Sequence, residues 1–478
     1  MKRCKKLKKI ELPDCVMSHI FSMLSLKDLV KTSALSKQWI HEWGLRTDLN
    51  FDLHNMFDYN TIQDLPQTLP LFPIIQRLHF QSEFATRLDQ FMLHYQGPII
   101  RSIRLDFPLS KDHTEVINRL ISKGIAKGVK RIELLFSFET KDASEYIMDL
   151  PLFPYTFSFA LLSDTDSLTY LHLRNCLLAG PADYSGLKNL TTIVMDGLMD
   201  THYTNIFSLL FSNCLQLEDA TFKNCKIARP MKITSPKLCH LNIINCGYGN
   251  LFPKKIAIDA LNLSSFEYSG RTTTYIFVKA PSLLNVFWNA AVREKNEHPF
   301  STIAILTHIE NLAMIISPSL IERLTKKLVL FQNLRQLELF VEGAYDPNMD
   351  YFWILDIAMA SQHLQKLSLT IRNIHLKEHS HMVGFKRRKR KHAGFSHNNL
   401  KDVKFCGCVC SINVIELASH LLKNASLLKK MTFSSCDKFY IGAGEWTNDF
   451  DGCCGFDRNV IHEMLKDEVN EQCQLIIL

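Results

Sequence analysis

Hydrophobic residues recur along most of this chain in one figure, L-x-x-L-x-L. It begins fourteen times, at Ile75, Ile100, Val129, Leu168, Leu190, Leu217, Leu238, Leu263, Leu283, Ile309, Leu334, Leu364, Leu400 and Leu428. Most intervals between starts run from 20 to 30 residues, with longer ones from Val129 to Leu168 and from Leu364 to Leu400. Within a copy the fourth and sixth positions, such as Leu171 and Leu173 or Leu337 and Leu339, alternate with polar neighbours. A period of two predicts a strand buried on one face. One copy is too short to close a core, whereas stacked copies bury a continuous one.

Self-similarity at this period is the spacing of leucine-rich repeats. The expected fold class is therefore α/β: a curved solenoid with a parallel sheet on its concave side and helices or irregular loops on the convex side. The ninth position of such a repeat commonly holds Asn or Cys under the turn that leaves the strand. Here it holds Cys176, Cys225, Cys246, Cys408 and Cys436, which assigns these thiols to architecture. The third, fifth and seventh positions are expected on the concave sheet, because strand side chains alternate. Over the fourteen copies they carry eight Lys or Arg and seven Asp or Glu, a balance unlike the unopposed cations of a nucleic-acid groove. Arg77, Arg104, Arg131 and Arg174 form a row among them, joined by Phe287, Ile315 and Phe340. Aromatic anchors and arginines carry much of the energy of protein interfaces, so these seven residues are the expected target-binding surface.

The pattern differs at the start of the chain. In ELPDCVMSHIFSMLSLKDLVKTSALSKQWIHEWGL, residues 11–45, apolar residues recur at three- and four-residue intervals through Val16, Met17, Ile20, Phe21, Met23 and Leu24. Pro13 suits a helix start, where its missing N–H costs nothing. Ser25 and Asp28 open a second helix, and Ser36 can cap a third that carries Trp39, Ile40 and Trp43. Three helices in so short a stretch cannot bury this much apolar surface among themselves, so the surplus calls for a partner.

These residues resemble the F-box of plant F-box proteins. In that family the helices dock on the Skp-type adaptor of a cullin-based ubiquitin ligase. The resemblance implies that Leu12, Pro13, Ile20, Leu24, Leu26, Val30, Ser33, Leu35, Ser36 and Trp39 form the helical core or the adaptor-binding surface. Gln38 departs from it, standing where the family more often has a basic residue. Near the other end, residues 398–436 hold a helix whose apolar face is Val414, Ile415, Leu417, Ala418, Leu421 and Leu422, set between two repeat strands. With LLKNASLLKKM and the final QCQLIIL, this region resembles the FBD region that closes many plant F-box/leucine-rich-repeat proteins. The expected organisation is an F-box domain over residues 1–48 and a solenoid over 49–395, with a basic inserted loop near 377–397. FBD-like terminal repeats and a cap fill 396–478.

Composition changes this picture little. The net charge of +7 in 478 residues is modest, and two short runs, Lys2 to Lys9 and Lys386 to Lys391, hold much of it. The second run reads as a surface loop or a nuclear-import signal. No apolar stretch approaches a membrane span and the N-terminus lacks a secretory core, so the expected location is nucleus or cytoplasm, with the 14 cysteines reduced. Cys406, Cys408, Cys410, Cys453 and Cys454 lack the C-x2-C pairs of zinc sites. His375, His379, His381, His392 and His397 cluster without a fixing spacing, and Asp449, Asp451 and Asp457 do not match a calcium loop. No G-x-S-x-G, Walker loop or G-x-G-x-x-G occurs.

The sequence thus leads to a non-catalytic protein with no cofactor and no metal. The resemblance implies the substrate-recognition subunit of a Skp–cullin–F-box ubiquitin ligase, whose partners are a Skp-type adaptor, through it a cullin ligase, and an unknown target protein. Nucleic acid and membrane are not expected partners. Two readings stand beside it: a small-molecule, hormone-like receptor of the same architecture, and a leucine-rich-repeat scaffold without a ligase role.

Overall fold

The computed structural model describes residues 13–34, 44, 46–57, 73–136, 154–179, 184–200, 206–227, 229–247, 253–271, 275–291, 306, 308–318, 321, 333–342, 349–372, 394–407, 409, 411–434, 439–442, 445–447, 458–469 and 472–478. The chain forms two compact units, Met1–Leu217 and Glu218–Leu478.

In the first unit, five parallel strands stand in sequence order: Asp48–Asp52, Ser102–Asp106, Arg131–Leu135, Tyr170–Arg174 and Thr192–Asp196. In the second, ten parallel strands do the same, from Asp219–Lys223 through Lys430–Ser434 to a final Gln474–Ile477. Thirteen of the fourteen predicted copies contribute a strand, each beginning at the third position of its copy. The fourth- and sixth-position side chains point inward; Leu171, Leu173, Leu367 and Leu369 are among those buried.

The turn that leaves these strands has a common device. Among the described residues, the eighth residue takes a left-handed backbone in five copies: Asn175, Gly197, Asn224, Asn245 and Gly407, with φ from 50 to 78°. Asn is among the few non-glycine residues that visit this region readily. The N–H of Asn175, Asn224 and Asn245 donates to the carbonyl of Asp196, Ile244 and Ser269 on the next strand. The ninth residue then turns inward. Cys176, Cys225 and Cys246 are buried and free of disulfides, and the Cys246 thiol donates to the carbonyls of Phe222 and Ile244 at 3.4 Å. Burial pushes the Cys176 thiol well above its ordinary pKa. Cys408 and Cys436 lie outside the described residues. The strand Asp402–Gly407 holds buried Cys406 and ends at left-handed Gly407, and Cys410 also lies outside the described residues.

The copy at Ile75 is not a strand. Residues 73–94 form a single helix, Pro73–His94, because Phe84, Leu88 and Phe91 continue the apolar spacing at three and four residues, and these three are buried. Phe84 stacks on Phe107 with ring centroids 4.1 Å apart, and Phe91 meets Phe51 edge-on at 5.4 Å. The first strand is instead Asp48–Asp52, with Leu49 and Phe51 turned inward. At the other end, QCQLIIL supplies the strand Gln474–Ile477, paired with Lys430–Ser434.

The predicted helix of the terminal region is Ile412–Asn424, capped by Ser411, whose hydroxyl accepts from the N–H of Val414. All six residues of its predicted apolar face are buried, and so are Asn413, Glu416 and Ser419 on its other side. His397 is buried as well. Its Nδ1 accepts from the backbone N–H of Asn399 and Leu400, and its Nε2 donates to the carbonyl of Ser361, which leaves the ring a structural role. Its desolvation lowers its pKa. His375, His379, His381, His392 and the run Lys386 to Lys391 fall outside the described residues.

Candidate functional site

Two features stand out as surfaces for partners: one side of the first helix, and the open faces of the two sheets.

Asp14–Met23 and Leu26–Lys31 are the first two helices. The second starts as predicted: the Ser25 hydroxyl accepts from the N–H of Asp28, at 3.2 Å. The apolar residues of the first helix separate into two stripes. Met17 and Phe21 face inward and are buried, whereas Val16, 41% exposed, and Met23, 76% exposed, lie seven residues apart on the opposite flank with half-buried Ile20 between them. Pro13 is exposed at the start of this helix, and Val30 on the second helix is 44% exposed.

Of the predicted adaptor residues, then, Pro13 and Val30 are at the surface, Ile20 and Leu24 are half-buried, and Leu26 is buried in the core. Leu12, Leu35, Ser36 and Trp39, and the side chain of Ser33, lie outside the described residues, as does the predicted third helix. Val16 and Met23 were legible as part of an apolar stripe. What marks them as surface is the second stripe, Met17 and Phe21, which claims the inner side.

The two described helices are tied to the chain that follows them. Leu26–Lys31 packs against the short helix Leu53–Met56, and the Lys27 ammonium donates to the carbonyl of Phe57. The Arg46 guanidinium donates to the carbonyl of Leu24, at 2.5 Å. Tyr95, at the end of the long helix, donates its hydroxyl to the carbonyl of Arg46 at 2.7 Å. Burial pushes the Tyr95 hydroxyl up to about 12, with the charge of Asp48 adding to it.

The open face of the first sheet carries Arg104, Arg131 and Arg174. Residue 77 falls in the helix Pro73–His94 and does not join them. Each of the three meets a carboxylate of its own sheet. Arg104 lies 2.6 Å from Asp106 and 3.7 Å from Glu133, Arg131 lies 2.5 Å from Glu133, and Arg174 lies 3.1 Å from Asp196. The Arg131 guanidinium also sits 3.5 Å above the ring of Tyr170. Glu133 is only 7% exposed, held between two arginines on adjacent strands.

The second unit's open face is different. Six strands, from Asp219–Lys223 to Gln336–Glu342, bring two rows of side chains into register. The third-position row is Asp219, His240, Ser265, Asn285, Asn311 and Gln336, and the fifth-position row includes Asn242, Glu267, Phe287, Ala313 and Glu338. They line a depression of about 510 Å³. Two of its carboxylates have partners on the same face. His240 Nδ1 lies 2.6 Å from Asp219 Oδ1, and the Gln336 amide donates to Glu338 at 2.9 Å. Asn311 donates to Asn285 at 2.7 Å, and Asn242 to Thr221 at 3.0 Å.

Phe287 lies half-buried in this depression. Ile315 and Phe340, expected to be exposed, are each 6% exposed. They are register partners at the seventh position, in line with buried Thr370, Cys406 and Ser434, so this end of the sheet face is covered over its later strands. The depression itself was hidden from a reading of single copies, because it depends on which side chains the register sets side by side and on the small Ala313 between Phe287 and Glu338. Among the described residues, no three His, Cys, Asp or Glu side chains converge as metal ligands, and no helix is long and apolar enough to cross a membrane.

Comparison with known proteins matches both parts of the chain that carry these surfaces. A family profile described as F-box domain matches residues 10–41, and one described as "At1g61320/AtMIF1, LRR domain" matches residues 92–470. The Arabidopsis thaliana F-box/LRR-repeat protein At3g26922 is 25% identical over 312 residues, which are 64% of this chain and 89% of that protein. The putative F-box/FBD/LRR-repeat protein At5g22610 of the same plant is 27% identical over 52% of this chain and 43% of its own length. For F-box/FBD/LRR-repeat protein At2g04230 the figures are 26%, 50% and 49%. The chain thus spans most of the first relative and under half of the other two. With a profile covering most of its length, an F-box ahead of it and parallel repeat sheets beneath it, this chain belongs to the plant F-box/leucine-rich-repeat proteins, within the family of the At1g61320/AtMIF1 LRR domain.

Proposed function

We propose that this chain is the non-catalytic substrate-recognition subunit of a Skp–cullin–F-box ubiquitin ligase. An F-box implies a Skp-type adaptor and leucine-rich repeats imply a target protein. The observation that carries it is the outer stripe Val16, Ile20 and Met23. It leaves apolar side chains in water on one flank of a helix whose other flank is already packed, within the stretch that matches the F-box profile. Exposed apolar surface of this kind marks an interaction site. On this reading the stripe and Pro13 receive the adaptor, and the open sheet faces, with Arg104, Arg131, Arg174 and Phe287, receive the target.

Co-purification with a Skp-type adaptor tests the first half. Val16→Asp combined with Met23→Asp should abolish adaptor recovery while leaving the melting temperature within about 2 °C of the parent, since both residues are at the surface. Adaptor recovery unchanged by this pair, and by Pro13→Ala, would remove the ligase assignment.

A further inference from the structure

The apolar surface beside the F-box does not end at its helices. Three apolar side chains stand in water within seven residues at the close of the helix Pro73–His94. Leu93 is 74% exposed, Ile99 is 56% exposed, and Pro98 is exposed next to it. The loop that carries Pro98 and Ile99 is fixed at several points. Buried Tyr95 brings its hydroxyl to the carbonyls of Arg46 at 2.7 Å, Ile99 at 3.1 Å and Gly44 at 3.3 Å. The Lys127 ammonium donates to the carbonyl of Gly97. A β-carbon on Gly97 would run into the carbonyl oxygen of Gly44, so the two backbones touch there. All of these bonds to the loop are made through its backbone, and none requires residues 98 and 99 to be apolar.

The contact sets the loop against the F-box. Gly44 lies three residues past the end of the F-box profile. Two residues further on, Arg46 reaches back to the end of the first helix, where its guanidinium donates to the carbonyl of Leu24 and lies 3.4 Å from that of Phe21. Met23, the most exposed residue of the outer stripe, directly precedes Leu24. Met23 and Ile99 therefore stand at the two ends of one short run of hydrogen bonds, through Leu24, Arg46 and Tyr95, all within the first unit.

We propose that Leu93, Pro98 and Ile99 are a second contact for the adaptor that docks on Val16, Ile20 and Met23, so that one partner grips the F-box and the start of the repeats together. The proposal rests on the ligase reading and extends the adaptor's footprint beyond the F-box. A specific interface buries about 800 Å² on each partner. A ten-residue helix is about 15 Å long and about 10 Å across, so one flank of Asp14–Met23 offers a few hundred Å² at most. An adaptor seated on it continues onto the surface alongside. Apolar side chains on a loop that is already fixed meet it with little ordering cost. Held at both places, the first unit cannot swivel on its adaptor.

The test titrates purified full-length chain with a purified plant Skp-type adaptor in a calorimeter. Leu93→Asp combined with Ile99→Asp should weaken binding at least about tenfold, with a melting temperature within about 2 °C of the parent, since both residues are at the surface. Leu215→Asp, at a leucine of the same unit that is 54% exposed, should leave the affinity unchanged. A photo-crosslinking benzoylphenylalanine placed at position 99 should join the chain to the adaptor, and one at position 215 should not. This second readout decides the matter if the aspartates unfold the chain. Equal affinity in the parent and the folded double variant, or no crosslink from position 99 in a bound complex, would overturn the proposal and leave the ligase reading standing. A parent chain that fails to bind the adaptor would remove both.

Discussion

The open sheet faces of the two units are built from the same repeat, yet the partners of their carboxylates differ. On the first, three arginines and three carboxylates from neighbouring positions are paired into a ladder. On the second, Asp219 meets an imidazole and Glu338 an amide. A ladder satisfies itself and holds its strands in line. The contrast teaches that a count of charged positions, near balance over the whole chain, says little about which charges are paired with one another.

The largest effect that could break this contrast is expected at Glu133. Glu133→Lys puts a third cation beside the half-exposed Arg104 and Arg131 at a nearly buried position, and should cost about 1–3 kcal/mol. Glu338→Gln on the other face should stay within about 0.5 kcal/mol, the range of ordinary surface changes. Urea unfolding of both variants decides it; equal losses would mean that the two faces are not different in kind.

A second experiment sharpens the comparison by asking what the units share. Asn175 and Asn224 hold the same left-handed turn in different units. Alanine at either should cost about 1–2 kcal/mol, the penalty for a side chain without local hydrogen bonding in that conformation. Glycine should restore most of the loss. A cost at only one of them would show that the turns, like the faces, have diverged.

The smallest effect is in pH. Burial depresses the pKa of His397 in the second unit and of His113 in the first, so the unfolded chain takes up protons at these positions before the folded one does. Their contribution is fully present above the unfolded value of about 6.5 and is lost as pH falls through the folded values, at no more than about 1.4 kcal/mol per pH unit for each group. Unfolding free energy measured from pH 7.5 to 5 should decline, and His397→Gln should flatten part of that decline. A profile as steep in the variant as in the parent would refute the assignment.

How much of this was written in the sequence differs by element. Thirteen strand starts followed directly from the repeat figure, because a buried leucine at the fourth and sixth positions admits one register. The copy at Ile75 failed because I-x-x-L-x-F also fits a helix, and the deciding residues, Phe84, Leu88 and Phe91, lie beyond it. Asp48–Asp52 and Gln474–Ile477 were missed as strands because neither follows a complete copy of the figure. The arginine row was legible as residues but not as a ladder, since Arg104–Glu133 and Arg174–Asp196 are set by the neighbouring strand. The burial of Ile315 and Phe340 was not legible at all; alternation gives a side chain's face and not what covers it.

The shared core between the first helices and the chain beyond them bears on portability. Phe21, Leu26 and Leu29 are buried, Leu26–Lys31 packs on Leu53–Met56, and Arg46 holds the carbonyl of Leu24. The F-box is thus less a detachable cassette than the first course of the masonry. Cutting it off would strip a packed surface from the chain beyond it. Two polar replacements at Val16 and Met23 would instead alter the outer flank while leaving every inward residue in place.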